Sequence, residues 1–280
     1  MNRPAAQAAT RFDPATVARA FVDARRAAAA LPEFPGPLPA DMAAGYRVQD
    51  IAIGLWPDEV VGWKVGKIPE HLQAELGAER VMGPVFARNV WQADGSAPTR
   101  LPVIAGGFAA VEGEYVYRIG ADAPADKLDW TPEEALGLVE TMLVGVEFAA
   151  SPLATINVLG PRVVASDFGN NAGLVLGRAV PDWKNTPAPA CEAYVEDKLV
   201  GRGSPDSLPG GPAGSLAFLA AACARRGRPL KRGQLVTTGA ASGIHDIEAG
   251  QSARITFGDL DEIRCVAVAA RPAQGGEGNP

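Results

Sequence analysis

A chain of 280 residues with 47% hydrophobic and 21% charged residues has the make-up of a globular protein with a sizeable core, not of a disordered or fibrous one. Its formal net charge of -6 and the lack of any Lys/Arg run argue against a surface that tracks phosphates, which excludes nucleic acid as an expected partner. The start, MNRPAAQAATRFDP, carries no apolar h-region and the longest apolar runs, such as SLAFLAAACA, are too short to span a bilayer, so a cytoplasmic protein without a membrane partner is expected.

In chain order, Asp13 as N-cap and Pro14 at the first helical position open a helix expected over 14–30. A Pro-rich stretch follows, and Asp41 then caps a second helix reaching Trp56. VVGWKVGKIP reads as a short strand and loop, and PEHLQAELG as a helical turn stopped by Gly77. Residues 1–80 are therefore expected to form an N-terminal helical cap segment, and 81–272 the main domain.

From Val81 onward strand-like segments dominate, among them AVEGEYVYRIG, LVGVEFAAS, GLVLGRAVP, CEAYVEDKLVGRG and SARITFGDLDEIRCVAVAA. Two helices interrupt them. TPEEALGLVETML opens on a capping box with proline at its first position, and PAGSLAFLAAACARRG ends at Gly227 after two arginines that suit a helix C-terminus. Many strands that do not alternate one for one with helices predict an α+β fold with an antiparallel or mixed sheet. The tail AQGGEGNP is expected to fray.

Three widely spaced cysteines and two histidines support neither a disulfide frame nor a thiolate or histidine metal site, and no Gly-rich phosphate loop is present. The hard ligands on offer are carboxylates, which suit Mg2+, Mn2+ or Ca2+. In an extended chain Glu112 and Glu114 share one face while Val111, Tyr115 and Tyr117 share the other. Alone, such a pair reads as the solvent face of an edge strand. Glu147, set among Val144, Val146, Phe148 and Ala149, changes that reading, because a strand, a helix and a second strand can bring three carboxylates to one point. Two readings stand for several other residues. Lys64, between Trp63 and Val65, is placed for a pocket, with Lys67 as the competing candidate. Asp167 in SDFGNN either caps a turn or joins a site, and His245 is a loop or a lid residue.

The ordered series GYRVQD, GWKVGK, AVEGEYVYRIG, GVEFAAS, ASDFGNNAGLVLG and GRPLKRGQLVTTGAASGIHDIEAG resembles the 2-keto-4-pentenoate hydratase group of the fumarylacetoacetate hydrolase superfamily, from about Phe12 to Val268. The resemblance implies a β-rich mixed β-sandwich roll specific to that superfamily with a small N-terminal helical segment. It implies that Glu112, Glu114 and Glu147 bind Mg2+ or Mn2+, that Lys64 and Asp167 are catalytic, and that Thr238 lies on the substrate side. Two departures stand out: no arginine follows Ser151, and no acid precedes Gly83. The implied activity is hydration of a 2-hydroxy-2,4-dienoate to a 4-hydroxy-2-oxo acid in the catabolism of aromatic compounds, in a homo-oligomer. The alternatives are a decarboxylase or C–C hydrolase of a related 2-oxo diacid, and a binding protein without turnover.

Overall fold

The computed structural model describes residues 11–95 and 97–273. Residues 274–280, most of the tail expected to fray, and the first ten residues lie outside the described residues.

Helix α1 (Pro14–Arg26) starts where the Asp13 carboxylate accepts from the Ala15 and Thr16 N–H groups. It ends at Arg26 and not at Ala30, with Ala28 in a left-handed turn, φ 49°. It lies against α2 (Met42–Leu55), capped by Asp41 accepting from Ala44 N–H. Val17, Phe21 and Val48 are buried in the main core. Strand β1 (Val60–Lys67), α3 (Glu70–Leu76), β2 (Arg80–Phe86), β3 (Val90–Gln92) and β4 (Thr99–Val103) follow. Helix α3 stops at Gly77, whose φ of 59° favours glycine.

The next unit corrects the sequence reading. Between β5 (Phe108–Ile119) and β6 (Val139–Ser151), α4 covers only Pro132–Leu136. The capping box of Thr131 and Glu134 is present as expected, but the VETML stretch read as its continuation is strand. Its backbone groups pair with β5 over the full length of both strands, and that ladder outweighs a helix preference that local pattern alone suggests. Helix α5 (Pro161–Ser166), β7 (Asn171–Ala179), β8 (Cys191–Val195) and β9 (Lys198–Gly203) come next. The segment read as one strand from Cys191 to Gly203 is a hairpin, turned by Glu196 and Asp197 with φ of 49° and 62°. Helix α6 (Gly211–Arg225), β10 (Leu235–Thr237), β11 (His245–Asp246), β12 (Ser252–Phe257) and β13 (Asp261–Ala269) complete the chain. Among the described residues no helix is long and apolar enough to cross a membrane.

The strands form two mixed sheets. The larger has the order β2-β1-β10-β5-β6-β7-β3 with β11 on β5, and the smaller β4-β13-β12-β8-β9. β1, inside the stretch expected as a helical cap, is an inner strand between β2 and β10. The larger sheet curls until β2 lies against β7, so its two faces have different fates. The outer face sends Val111, Tyr115, Tyr117 and Ile119 into the main core, where the Tyr115 ring meets Phe257 of the smaller sheet at 6.1 Å. The inner face closes on its own cluster of Val85, Val116, Leu143, Leu174, Leu176 and Leu235. Period-two alternation therefore puts Glu112 and Glu114 inside the roll, in line with Val116.

Candidate active site

The register of the β5–β6 pair sets Glu112 directly opposite Glu147, and Glu114 follows two residues along the same face. The intervening Gly113 faces outward, where a side-chain Cβ would stand 3.0 Å from both Ile255 and Ser242 Oγ. Its N–H donates to that hydroxyl at 2.8 Å. Close packing here favours glycine between the acids, since any Cβ would press on the Ile255 and Ser242 side chains. One carboxylate oxygen from each of Glu112, Glu114 and Glu147 lies within 4.8 Å of the others. All three residues are at most 3% exposed.

Buried like charges at this separation raise one another's pKa. Burial, followed by Glu147, pushes Glu112 up to about 8 against the pull of Lys64. Burial, then Glu147 and Glu112, hold Glu114 well above the carboxylate range. The hydrogen bonds are unevenly shared. Glu147 accepts from Asn171 Nδ2 at 3.0 Å and Thr237 Oγ1 at 3.4 Å and pairs with Lys64 Nζ at 3.3 Å. Glu114 accepts from the Gly239 N–H at 2.9 Å. Glu112 Oε1 and Glu114 Oε1 are buried without a partner among the described residues. Orphaned carboxylate oxygens are costly, and two of them converging with a third carboxylate form an all-oxygen donor set that fits a divalent cation.

Lys64 extends from β1, opposite Gly83 of β2, and is 3% exposed. Its Nζ donates to Asn170 Oδ1 at 3.0 Å. Burial pulls its pKa down, but the Glu147, Glu112 and Glu114 carboxylates outweigh that and hold the ammonium above its usual value. Lys67, at the end of the strand, is exposed.

Asp167 sits elsewhere in the network. Both its oxygens accept from Arg25 of α1, Oδ1 from Nε at 2.6 Å and Oδ2 from Nη2 at 2.9 Å. Arg25 Nη2 also donates to the Ala150 carbonyl at 2.8 Å, and the guanidinium lies over the Phe168 ring at 5.2 Å. The sequence showed no arginine after Ser151; the guanidinium at that end of β6 comes from α1. Phe168, Gly169 and Asn170 all have positive φ, of 54°, 65° and 57°, a strained turn that must be held from outside. It is seated on Gly83, where any Cβ would lie 1.8 Å from the Phe168 carbonyl oxygen. Asp167 therefore reaches Lys64 only through the turn that ends in Asn170.

Thr238 is buried, and its hydroxyl donates to the Tyr115 carbonyl at 2.9 Å. It is the preceding residue, Thr237, that shares the inner face and reaches Glu147. His245 Nε2 lies 2.8 Å from the Ser242 carbonyl, and β11 pairs with β5 at Val111 and Ala110. Sequence reasoning missed Arg25, Asn170, Asn171 and Thr237. Alternation within TT, once Leu235 is placed inside, is the one signal that could have found Thr237; the Arg25–Asp167 contact spans 142 positions.

No family model matches the chain. It is 27% identical over 232 residues to 2-keto-4-pentenoate hydratase 2 of Dechloromonas aromatica (strain RCB), covering 80% of this chain and 85% of that protein. Its fold is similar to 4-oxalocrotonate decarboxylase from Pseudomonas putida G7, solved with magnesium and adipate, with a TM-score of 0.75 at 16% identity over 91% of this chain and 97% of that one. Fumarylpyruvate hydrolase from Pseudomonas aeruginosa, solved with Mn2+ and pyruvate, gives 0.56 at 19% identity over 74% and 88%. In sequence the chain is similar over most of both chains to curated 2-keto-4-pentenoate hydratases, and it shares its sheet-rich fold with solved structures that include a fumarylacetoacetate hydrolase family protein of yeast.

Proposed function

We propose that the protein is a divalent-metal-dependent hydratase that converts a 2-hydroxy-2,4-dienoate into a 4-hydroxy-2-oxo acid. The observation that carries this reading is the buried set of Glu112, Glu114 and Glu147 with two unpartnered oxygens and one ammonium beside it. A divalent cation held by these carboxylates, Mg2+ or Mn2+ by the hardness of the donors, would draw negative charge onto the 2-oxo oxygen of a bound 2-oxo acid.

The chain's own residues supply the rest. Ketonisation of the dienol, with a proton gained at C5 and the 2-hydroxyl proton lost, leaves a conjugated acceptor; water then adds at C4 and a proton joins C3. Delivery at C3 is assigned to Lys64 Nζ, which carries a proton in this environment and is aimed by Asn170. Asp167 is read as a positioning residue, since both its oxygens are engaged by Arg25. The threonine on the substrate side is read as Thr237, whose hydroxyl reaches Glu147 on the inner face, and Thr238, bonded to the Tyr115 carbonyl, is read as holding that segment in place. The burial of the cluster keeps bulk water from competing for the mobile proton.

The kinship with a hydratase supports hydration over the alternatives. A diacid would need a second cation, and the nearby Arg25 is already committed to Asp167. The test is incubation of metal-loaded protein with freshly generated 2-hydroxypenta-2,4-dienoate and, separately, with 4-oxalocrotonate, following absorbance. Loss of the dienoate alone supports the hydratase. Turnover of the diacid with release of CO2 would replace it by a decarboxylase, and inertness toward both would leave a binding protein. The same reading carries self-association into a homo-oligomer, checked by sedimentation at micromolar protein.

A further inference from the structure

On the outer face of β5, away from Glu112 and Glu114, an open groove of about 770 Å³ runs between α4, the β7–β8 connection and the start of α6. That size suits a small molecule. Tyr117 and its cross-strand neighbour Met142 line it, and Trp183 forms an aromatic wall with its ring 5.8 Å from that of Tyr117. Tyr117 is only 4% exposed, yet its hydroxyl has no hydrogen-bond partner among the described residues. Burial raises its pKa and keeps the phenol protonated, so a donor that no protein group engages among the described residues is open to the groove, where a ligand acceptor can reach it.

The electrostatics of the groove indicate what the acceptor is. Gly210, Gly211 and Ala213 at the N-terminus of the 15-residue α6 line the same space, and no side chain caps that helix. Lys184 lines it too, with Nζ 5.3 Å from the Trp183 ring centre. A helix N-terminus and an ammonium both favour negative charge. Asp206 on the same lining sets one negative charge against the Lys184 ammonium, so a second negative charge on a ligand gains less than the first.

We propose that this groove is a second binding site, separate from the carboxylate cluster, for a planar aromatic monocarboxylate whose ring packs on Trp183 and Met142 and whose carboxylate accepts from Tyr117. This inference does not rest on the hydratase reading. The test titrates benzoate into EDTA-treated full-length protein, read by calorimetry and tryptophan fluorescence. Saturable binding is expected, about tenfold weaker for uncharged benzamide and for doubly charged phthalate. Tyr117→Phe, which keeps the ring, and the exposed Lys184→Ala should each weaken benzoate several-fold, and Glu147→Gln should leave it unchanged. Absence of binding at about 10 mM benzoate, equal affinity for benzamide, or loss in Glu147→Gln with retention in Tyr117→Phe would each overturn the site. So would a groove closed by a second copy, seen as a Lys184 cross-link between protomers that benzoate does not compete away.

Discussion

Lys64 is where burial and charge pull hardest against each other. A lysine at 3% exposure would lose its proton more easily than in water, but Glu147 at 3.3 Å reverses the balance. Replacing it by methionine keeps the stem's volume and removes the ammonium. Glu147 retains Asn171 and Thr237 as donors, so Lys64→Met should fold and keep its affinity for Mg2+ or Mn2+, measured by calorimetry. Turnover of the accepted substrate should fall by about a hundredfold or more, the scale of one proton-transfer or electrostatic contributor. Lys67→Met is the control, since that side chain stands in solvent, and it should stay within about twofold of the parent. An exchange of the two results would move the role to Lys67, and normal turnover in both would remove lysine from the mechanism.

At the scale of elements, the site depends on contacts that join α1 to a turn far along the chain. The Arg25 and Asp167 side chains are 9% and 0% exposed, so removing one partner leaves a buried, unpaired charge. Arg25→Met should cost about 3–5 kcal/mol in urea unfolding, and Arg25→Met combined with Asp167→Leu should recover a large part of that. A loss below about 1 kcal/mol would mean that the pair is solvated and does not hold the turn. This contact also marks the limit of what could be read from the sequence. Glu112 and Glu114 were legible because strand alternation is local, and Glu147 because a charge among four apolar neighbours needs a partner. The start of α4 was legible in its capping box. Its end was not, because pairing of Val139–Leu143 with β5 is decided by a strand some twenty residues away. Asn170 was hidden for a related reason: only a run of three left-handed residues, seated on Gly83, turns its side chain toward Lys64.

In the whole molecule the larger of the two sheets is rolled around three acids, and the stability of the fold must reflect their protonation. Metal-free, the folded protein holds Glu112 at about 8 where the ordinary value is 4.5, and Glu114 is raised in the same direction. Between those values the folded state keeps a proton that the unfolded chain releases. The stability due to this protonation is therefore complete below about pH 4.5 and is lost as the pH rises through about 8. The carboxylates with lowered pKa, such as Asp122 and Glu134, act in the opposite sense, but only below the carboxylate range, and leave this window to the cluster. A divalent cation competes with those protons, so its effect must grow with pH. In calorimetric melts, chelator-treated protein should be less stable at pH 8 than at pH 5.5, and Mg2+ or Mn2+ should raise the melting temperature more at pH 8. Glu147→Gln should lose most of that rise, because it removes one of the three converging carboxylates. A rise of equal size at both pH values would show that the cation binds outside the cluster, and no rise at millimolar cation, in protein shown to be metal-free, would rule the three glutamates out as its ligands.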